Sequence, residues 1–465
     1  MDAKRLNENI VVNGYCIGCG NCAAVDNSDF EIKMNKFGCY HAALKDYKIF
    51  SGRDYVNICP FTSLINENDI ADELFKKTVG IKKNSYEGYV LNRYAGYASE
   101  QFRIKGSSGG LLTWLCSKML EEGLVDSIVH IKKSSNKKEG LYSYAISDDV
   151  NSLSEGSSSR YYPITLESII KHIKRQEKTC AIVGVPCFIK AINLLTFQDN
   201  KLSKLIKFKI GIVCGHLKSE YFAKAYSMEL GIPYNKIKEI NFRQKLFDRP
   251  ASRYGIKILY ELKENCIEEI IVPTSELSVS DWGVGYFKYK ACDYCDDVLA
   301  ETADITFGDA WLPQYINDPK GTNIVIIRNS FIDELIHRNI DEIHLETLSA
   351  EDVFKSQAGG FRHRREGLQY RLYKNKKNDT YSPLKRLQPM DNISKKRKNI
   401  YSFREILRNK SFEFFYKAEQ ENNFLLFKEG MEPYLIEYRR INKVSFLRRV
   451  MNKLLKKFRK ILSLK

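Results

Sequence analysis

The chain has 465 residues, enough for two or three domains with a substantial buried core. Its 43% hydrophobic and 28% charged content is that of a water-soluble globular protein, and no run approaches the roughly 18–20 apolar residues needed to span a bilayer. The net charge is +17, and twelve cysteines with CxxC spacings in a chain this long with a polar start exclude a small secreted disulfide scaffold and predict metal binding in a reducing compartment, the cytoplasm.

In chain order, the first expected unit is a small module over residues 1–76. Cys16, Cys19 and Cys22 stand in the run Cys-Ile-Gly-Cys-Gly-Asn-Cys, and Cys59 directly precedes Pro60. Three thiolates spaced by two residues on a tight loop can grip three irons of one cubane, and a distant Cys-Pro supplies the last ligand. In two-cluster bacterial ferredoxins each Cys-Pro serves the cluster that the other motif begins. Here Ala23, Ala24, Val25 and Asp26 follow Cys22, so the first motif lacks its own Cys-Pro, and only the Cys-Pro of the second remains. What is left is the ligand set of one [4Fe-4S] centre in a ferredoxin-like module. A structural zinc site is the alternative, although the third cysteine and the Cys-Pro have no role in a C-x2-C zinc ribbon. Cys39, in Phe-Gly-Cys-Tyr, is a rival fourth ligand that reads better as a turn into a strand.

After Cys59-Pro60 a turn and a helix are expected, then a strand over 89–98. From there to about residue 330 strands and helices alternate, which predicts an α/β core over 86–330. Helices are expected over 110–122, 165–176, 190–195 and 219–230, the last ended by Gly231. Strands are expected over 127–131, 179–185 and 207–213, a hairpin or meander within 240–270, and the last strands at Thr306 and 323–328. Cys187 and Cys214 follow two of these strands, and Cys292 and Cys295 form a Cys-x-x-Cys pair. The carboxyl ends of neighbouring parallel strands face one crevice, where two strand-end thiolates and two from a loop could gather round a second metal centre. Structural burial of Cys187 and Cys214 is the alternative. The GxGxxG fingerprint is absent, so nothing indicates NAD on an ordinary Rossmann turn.

The stretches Gly106-Ser-Ser-Gly-Gly-Leu-Leu-Thr, Ser158-Ser-Arg-Tyr-Tyr-Pro, Gly184-Val-Pro-Cys-Phe-Ile-Lys-Ala, Ile212-Val-Cys-Gly-His, Phe242-Arg-Gln-Lys, Cys292-Asp-Tyr-Cys-Asp-Asp, Ala303-Asp-Ile-Thr-Phe-Gly-Asp-Ala-Trp and Gly321-Thr-Asn occur in this order. Together they make residues 1–330 resemble the coenzyme F420 hydrogenase/dehydrogenase beta-subunit family, in its bacterial form with a fused ferredoxin-like segment. The resemblance implies an FAD-containing iron–sulfur oxidoreductase. It implies that Cys187, Cys214, Cys292 and Cys295 hold a second [4Fe-4S] cluster. It also brings in the flavin: Ser107, Ser108, Gly109 and Gly110 precede a helix, where amides and the helix dipole suit a phosphate or the flavin edge. A plain Ser-capped helix start is the alternative there. Arg160 and Tyr161, in the 158–163 loop, are further flavin candidates, with a surface loop as the alternative. His216 is a candidate proton relay or a structural histidine, and Asp309 is expected to hydrogen-bond near the cluster loop.

Electrons are expected to enter from reduced ferredoxin or another redox protein at the Cys16, Cys19, Cys22 and Cys59 cluster, pass through the second cluster to FAD and leave as a hydride to a small organic acceptor, or to flow in the opposite direction. That acceptor is the deazaflavin F420 or an intermediate of surface-polysaccharide biosynthesis. An electron-transfer subunit with its chemistry on a partner, and a zinc-stabilised scaffold without redox function, are the competing readings. Beyond the core lie an extension over 331–440 and a tail over 441–465. Residues 444–465 contain eight Lys or Arg and no acid, and 361–410 is also strongly basic, which together predict an electrostatic tail. Leu447, Val450, Met451, Leu454, Phe458 and Ile461 share one helical face. This basic amphipathic helix suits peripheral binding to an anionic inner membrane face, or docking on the protein's own body. Nucleic acid is disfavoured because aromatic stacking platforms are not evident among these cations.

Overall fold

The computed structural model describes residues 1–45, 50–136, 140–264 and 266–443. The amphipathic helix expected at 444–465 lies outside the described residues. Near the N-terminus, β1 (Phe30–Met34) and β2 (Tyr40–Leu44) form an antiparallel hairpin, and β3 (Lys82–Asn84) pairs with β4 (Gly88–Val90). The expected strand over 89–98 is thus divided at Leu91 between β4 and β5 (Asn92–Ala98). The core adds β6 (Ser127–Lys133), β7 (Tyr142–Ser147), β8 (Cys180–Gly184) and β9 (Ile206–Ile212). The expected meander is present as β10 (Ile237–Gln244), β11 (Gly255–Lys263) and β12 (Cys266–Pro273). β13 (Ile305–Asp309), β14 (Asn323–Ile327) and β15 (Ile343–Thr347) complete the set.

Eight strands form the main sheet in the order β15-β5-β14-β13-β9-β8-β6-β7. β6, β8, β9 and β13 run parallel, and the outer strands are antiparallel to their neighbours, so the molecule is mixed α/β. The apolar runs of β8 and β14 are buried along their whole length, as strands covered on both faces must be. β14 is not the last strand. β15 pairs with β5 at the sheet edge, and its Ile-His-Leu alternation suits that half-exposed position.

The helix expected over 190–195 spans Pro186–Gln198, with proline in the first turn, where its missing N–H costs nothing. Cys187 therefore sits in a helix start rather than at the end of β8. Phe188 next to it is 1% exposed, a burial that stabilises by roughly 1.5–3 kcal/mol and anchors that turn. Phe30, Tyr55, Ile58 and Phe61 of the N-terminal segment share one hydrophobic core with Ile170, Phe188, Ala291 and Leu368. The cysteine-rich start is therefore packed into the main body.

The basic stretch over 361–410 is not an electrostatic tail. It forms the helices Ala358–Arg364 and Glu366–Lys377 and the first half of Lys395–Gln420, which packs antiparallel to Phe424–Asn442. Arg364, Arg371 and Arg408 are buried. Charge counting missed this because their partners lie far off in the chain: Arg371 and Arg408 meet Asp293, and Arg364 meets the carbonyls of Cys214 and Gly215. Among the described residues, no helix is long and apolar enough to cross a membrane.

Candidate functional site

Cys16, Cys19, Cys22 and Cys59 line a single internal space. The loop holding the first three is shaped by Gly18 and Gly20, both at positive φ (66° and 90°). A Cβ at Gly18 would come within 2.5 Å of Tyr40, and one at Gly20 would strike Thr165, so neither position accepts a side chain. Asn21 fixes the loop further. Its amide donates to the carbonyl of Ile58 (3.1 Å), just before Cys59, and to that of Ala191 (2.5 Å) on the helix Pro186–Gln198, whose first turn holds Cys187. The backbone amides of Ala42 and Gly18 donate to Cys16 Sγ at 3.3 and 3.4 Å. Cys39 does not line this space; its environment is set by Tyr289 and Ser219.

Burial pushes the Cys59 thiol up to about 11, and burial with the neighbouring thiols raises Cys22 well above its ordinary value. Four such thiols ionise together only when a strongly cationic group sits among them. Four buried thiols round one space are a donor set that a [4Fe-4S] group or a four-cysteine zinc site can use, so the residues present fit the iron–sulfur group.

Cys187, Cys214, Cys292 and Cys295 line a second space, together with Arg364. Cys187 comes from the helix start after β8 and Cys214 from two residues past β9, while Cys292 lies in the turn Lys290–Tyr294. The amide of Leu217 donates to Cys292 Sγ at 3.2 Å. Burial raises the Cys292 thiol to about 11 and the Cys214 thiol to about 12, so this donor set also fits a group that neutralises several thiolates. Ile17 and Phe61 line both spaces, so the two cysteine sets share a wall.

The C-terminal extension clamps the loop of the second set. Arg371 Nε donates to the Asp293 carbonyl at 2.7 Å, and the Asp293 carboxylate meets Lys288 Nζ at 2.6 Å and Arg408. Arg386 donates to the Asp296 carbonyl at 3.0 Å. Arg364 Nη2 donates to the carbonyls of Cys214 and Gly215 at 2.7 and 2.8 Å. Burial opposes the Arg364 charge, but nearby Cys295 and Cys214 hold it firmly cationic.

The two loops expected to meet a flavin touch each other, since the Ser159 amide donates to Ser107 Oγ at 2.8 Å. Gly109 packs against Gly96 and Asn323, and Gly110 adopts φ +80° against Phe102, so both glycines have internal packing reasons. Asn323 Oδ1 accepts from the Leu111 amide at 3.2 Å, which spends one donor of that helix start on the protein itself. Arg160 pairs with Glu239 at 2.8 Å, and Tyr161 lies edge-on to Trp282 with ring centroids 4.8 Å apart. His216 sits 4.6 Å from the Trp282 ring. Cys214, His216, Trp282 and Tyr161 thus connect the second cysteine set to the candidate flavin loop. Burial, reinforced by Lys218 and Lys288, keeps the His216 imidazole neutral, and its Nε2 is buried without a partner.

Sequence reading missed several charged groups here. Lys245 Nζ donates to the Ser108 carbonyl at 2.7 Å, and burial beside Arg103 and Arg243 pulls its pKa down to about 7. Asp309 does not reach the cluster loop; its carboxylate holds Arg243 with two bonds of 2.7 and 2.9 Å. The Phe-Arg-Gln-Lys run and Asp309 were visible in the sequence, but only folding reveals that they meet.

Residues 93–171 match the N-terminal part, and residues 177–353 the C-terminal part, of the family described as Coenzyme F420 hydrogenase/dehydrogenase, beta subunit. A coenzyme F420-dependent sulfite reductase of Methanocaldococcus jannaschii is 23% identical over 366 residues, covering 76% of this chain and 49% of that protein. This chain therefore spans about half the length of that relative. An uncharacterized protein of the same organism is 23% identical over 72% of this chain and 90% of its own length. A chain of the F420-reducing [NiFe] hydrogenase complex from Methanosarcina barkeri aligns in structure with a TM-score of 0.48 at 15% identity, covering 65% of this chain and 98% of that one.

Proposed function

Because the chain belongs to the coenzyme F420 hydrogenase/dehydrogenase beta-subunit family, we propose that it is an iron–sulfur flavoprotein oxidoreductase. Cys16, Cys19, Cys22 and Cys59 would hold one [4Fe-4S] cluster, and Cys187, Cys214, Cys292 and Cys295 the other. Ser107, Ser108, Gly109, Gly110, Arg160 and Tyr161 would receive FAD. When bound, the clusters supply single-electron transfer, and the flavin exchanges single electrons for a hydride.

The observation that carries this reading is the gathering of eight cysteines into two sets of four with a common wall of Ile17 and Phe61. Ferredoxin or another redox protein is the proposed partner on the first set's side. The flavin side would serve an organic acceptor, the deazaflavin F420 or an intermediate of surface-polysaccharide biosynthesis. Lys245, titrating near neutrality beside Ser108, is suited to hold or release a proton there.

A second reading is an electron-transfer subunit whose chemistry occurs on a partner. Turnover by the isolated chain separates the two. The cluster assignment is tested by Cys292→Ser, which should lower iron from about eight to about four atoms per chain and bleach part of the visible absorption. Unchanged iron and absorption would reject the second ligand set.

A further inference from the structure

Arg364 is the last residue of the helix Ala358–Arg364 and is 1% exposed. It lines the space bounded by the second cysteine set and, among the described residues, is the one charged side chain that does so. Nη2 is committed to the carbonyls of Cys214 and Gly215, which fixes the plane of the guanidinium against that loop. Nε and Nη1 are buried with no hydrogen-bond partner of good geometry, while the nearby Cys295 thiol, one of the candidate ligands, supports the guanidinium charge. A buried charged donor left unsatisfied is costly, so two such donors at the edge of a site imply acceptors that belong to whatever fills it. Neighbouring Arg371 and Arg408, by contrast, are engaged by Asp293.

We propose that Arg364 donates hydrogen bonds to the metal–sulfur group held by Cys187, Cys214, Cys292 and Cys295 and raises its reduction potential. The inference rests on the reading of those cysteines as cluster ligands. Reduction adds one negative charge to the group, so a fixed buried cation favours the reduced form, and N–H···S bonds act in the same direction. Arg364 lies beyond the family-matched segment, which ends at residue 353. The C-terminal extension thereby becomes a tuning element as well as a clamp. Arg364 acts as a positioning and electrostatic residue that makes no bond to the acceptor.

The test is an anaerobic redox titration of the intact chain, followed by electron paramagnetic resonance, for the wild type, Arg364→Gln and Arg364→Lys. Arg364→Gln should weaken the electron affinity of one cluster by about tenfold, a shift of about 59 mV to lower potential for one electron. The other cluster should be unchanged. Arg364→Lys keeps the charge but loses the fork, and should shift the same cluster by less; it carries the measurement if the Gln variant fails to assemble. Two clusters per chain with both potentials unmoved in the variants would overturn the role of Arg364 alone. A wild-type protein with a single cluster would overturn this role together with the ligand reading beneath it.

Discussion

Asp293→Asn should destabilise the folded protein by about 3–5 kcal/mol, the cost of removing one partner from a buried ion pair. Asp293 is 1% exposed, its carboxylate meets Lys288 Nζ at 2.6 Å and Arg408, and His363 Nε2 lies 3.4 Å away. Neutralising it leaves Lys288 and Arg408, both buried, without their shared carboxylate. Urea unfolding followed by circular dichroism measures the loss. Adding Lys288→Met to Asp293→Asn should recover part of it, because one stranded charge is then gone. A loss below about 1 kcal/mol would mean that water reaches this cluster and that the extension is a looser clamp than its contacts imply.

Cys59→Ala should remove the first cluster and leave the second. Iron would fall from about eight to about four atoms per chain, and reduction of the flavin by ferredoxin would drop to background. Reduction of the flavin from the organic side should persist, because His216, Trp282 and Tyr161 join the second set to the candidate flavin loop without the first set. Cys39→Ser is the control, since Cys39 does not line the first space, and it should leave the iron content intact. Equal losses in both variants would make Cys39 a ligand and require the first site to be rebuilt.

The parts of this molecule legible in its sequence are those whose physics is local. The Cys-Ile-Gly-Cys-Gly-Asn-Cys run fixes its own loop through Gly18 and Gly20, so the first set could be read from spacing. The apolar runs of β6, β8 and β9, alternating with helices, gave the parallel core, and the strand ends then suggested where Cys187 and Cys214 would meet. What escaped depends on distant partners. The cations of 361–410 read as a solvated tail because they outnumber the nearby acids: Glu366, Asp391 and Glu405 pair with Arg397, Lys398 and Lys374, and Arg386 and the buried Arg408 are left to distant partners. Their partners stand in the run after Cys292, where Asp293, Asp296, Asp297 and Glu301 crowd next to two cysteines. All four are buried, and an acidic run beside two candidate ligands was the available signal that cations had to arrive from elsewhere. β15 was overlooked for a different reason: its five residues lie between helices, and short edge strands alternate too briefly to stand out.

Anaerobic purification followed by iron, zinc and flavin determination tests the central claim most directly. Two iron–sulfur clusters beside one flavin require about eight irons and about one FAD per chain, with zinc far below one equivalent. Stoichiometric zinc with neither iron nor flavin would contradict it and leave the eight thiols as structural metal ligands.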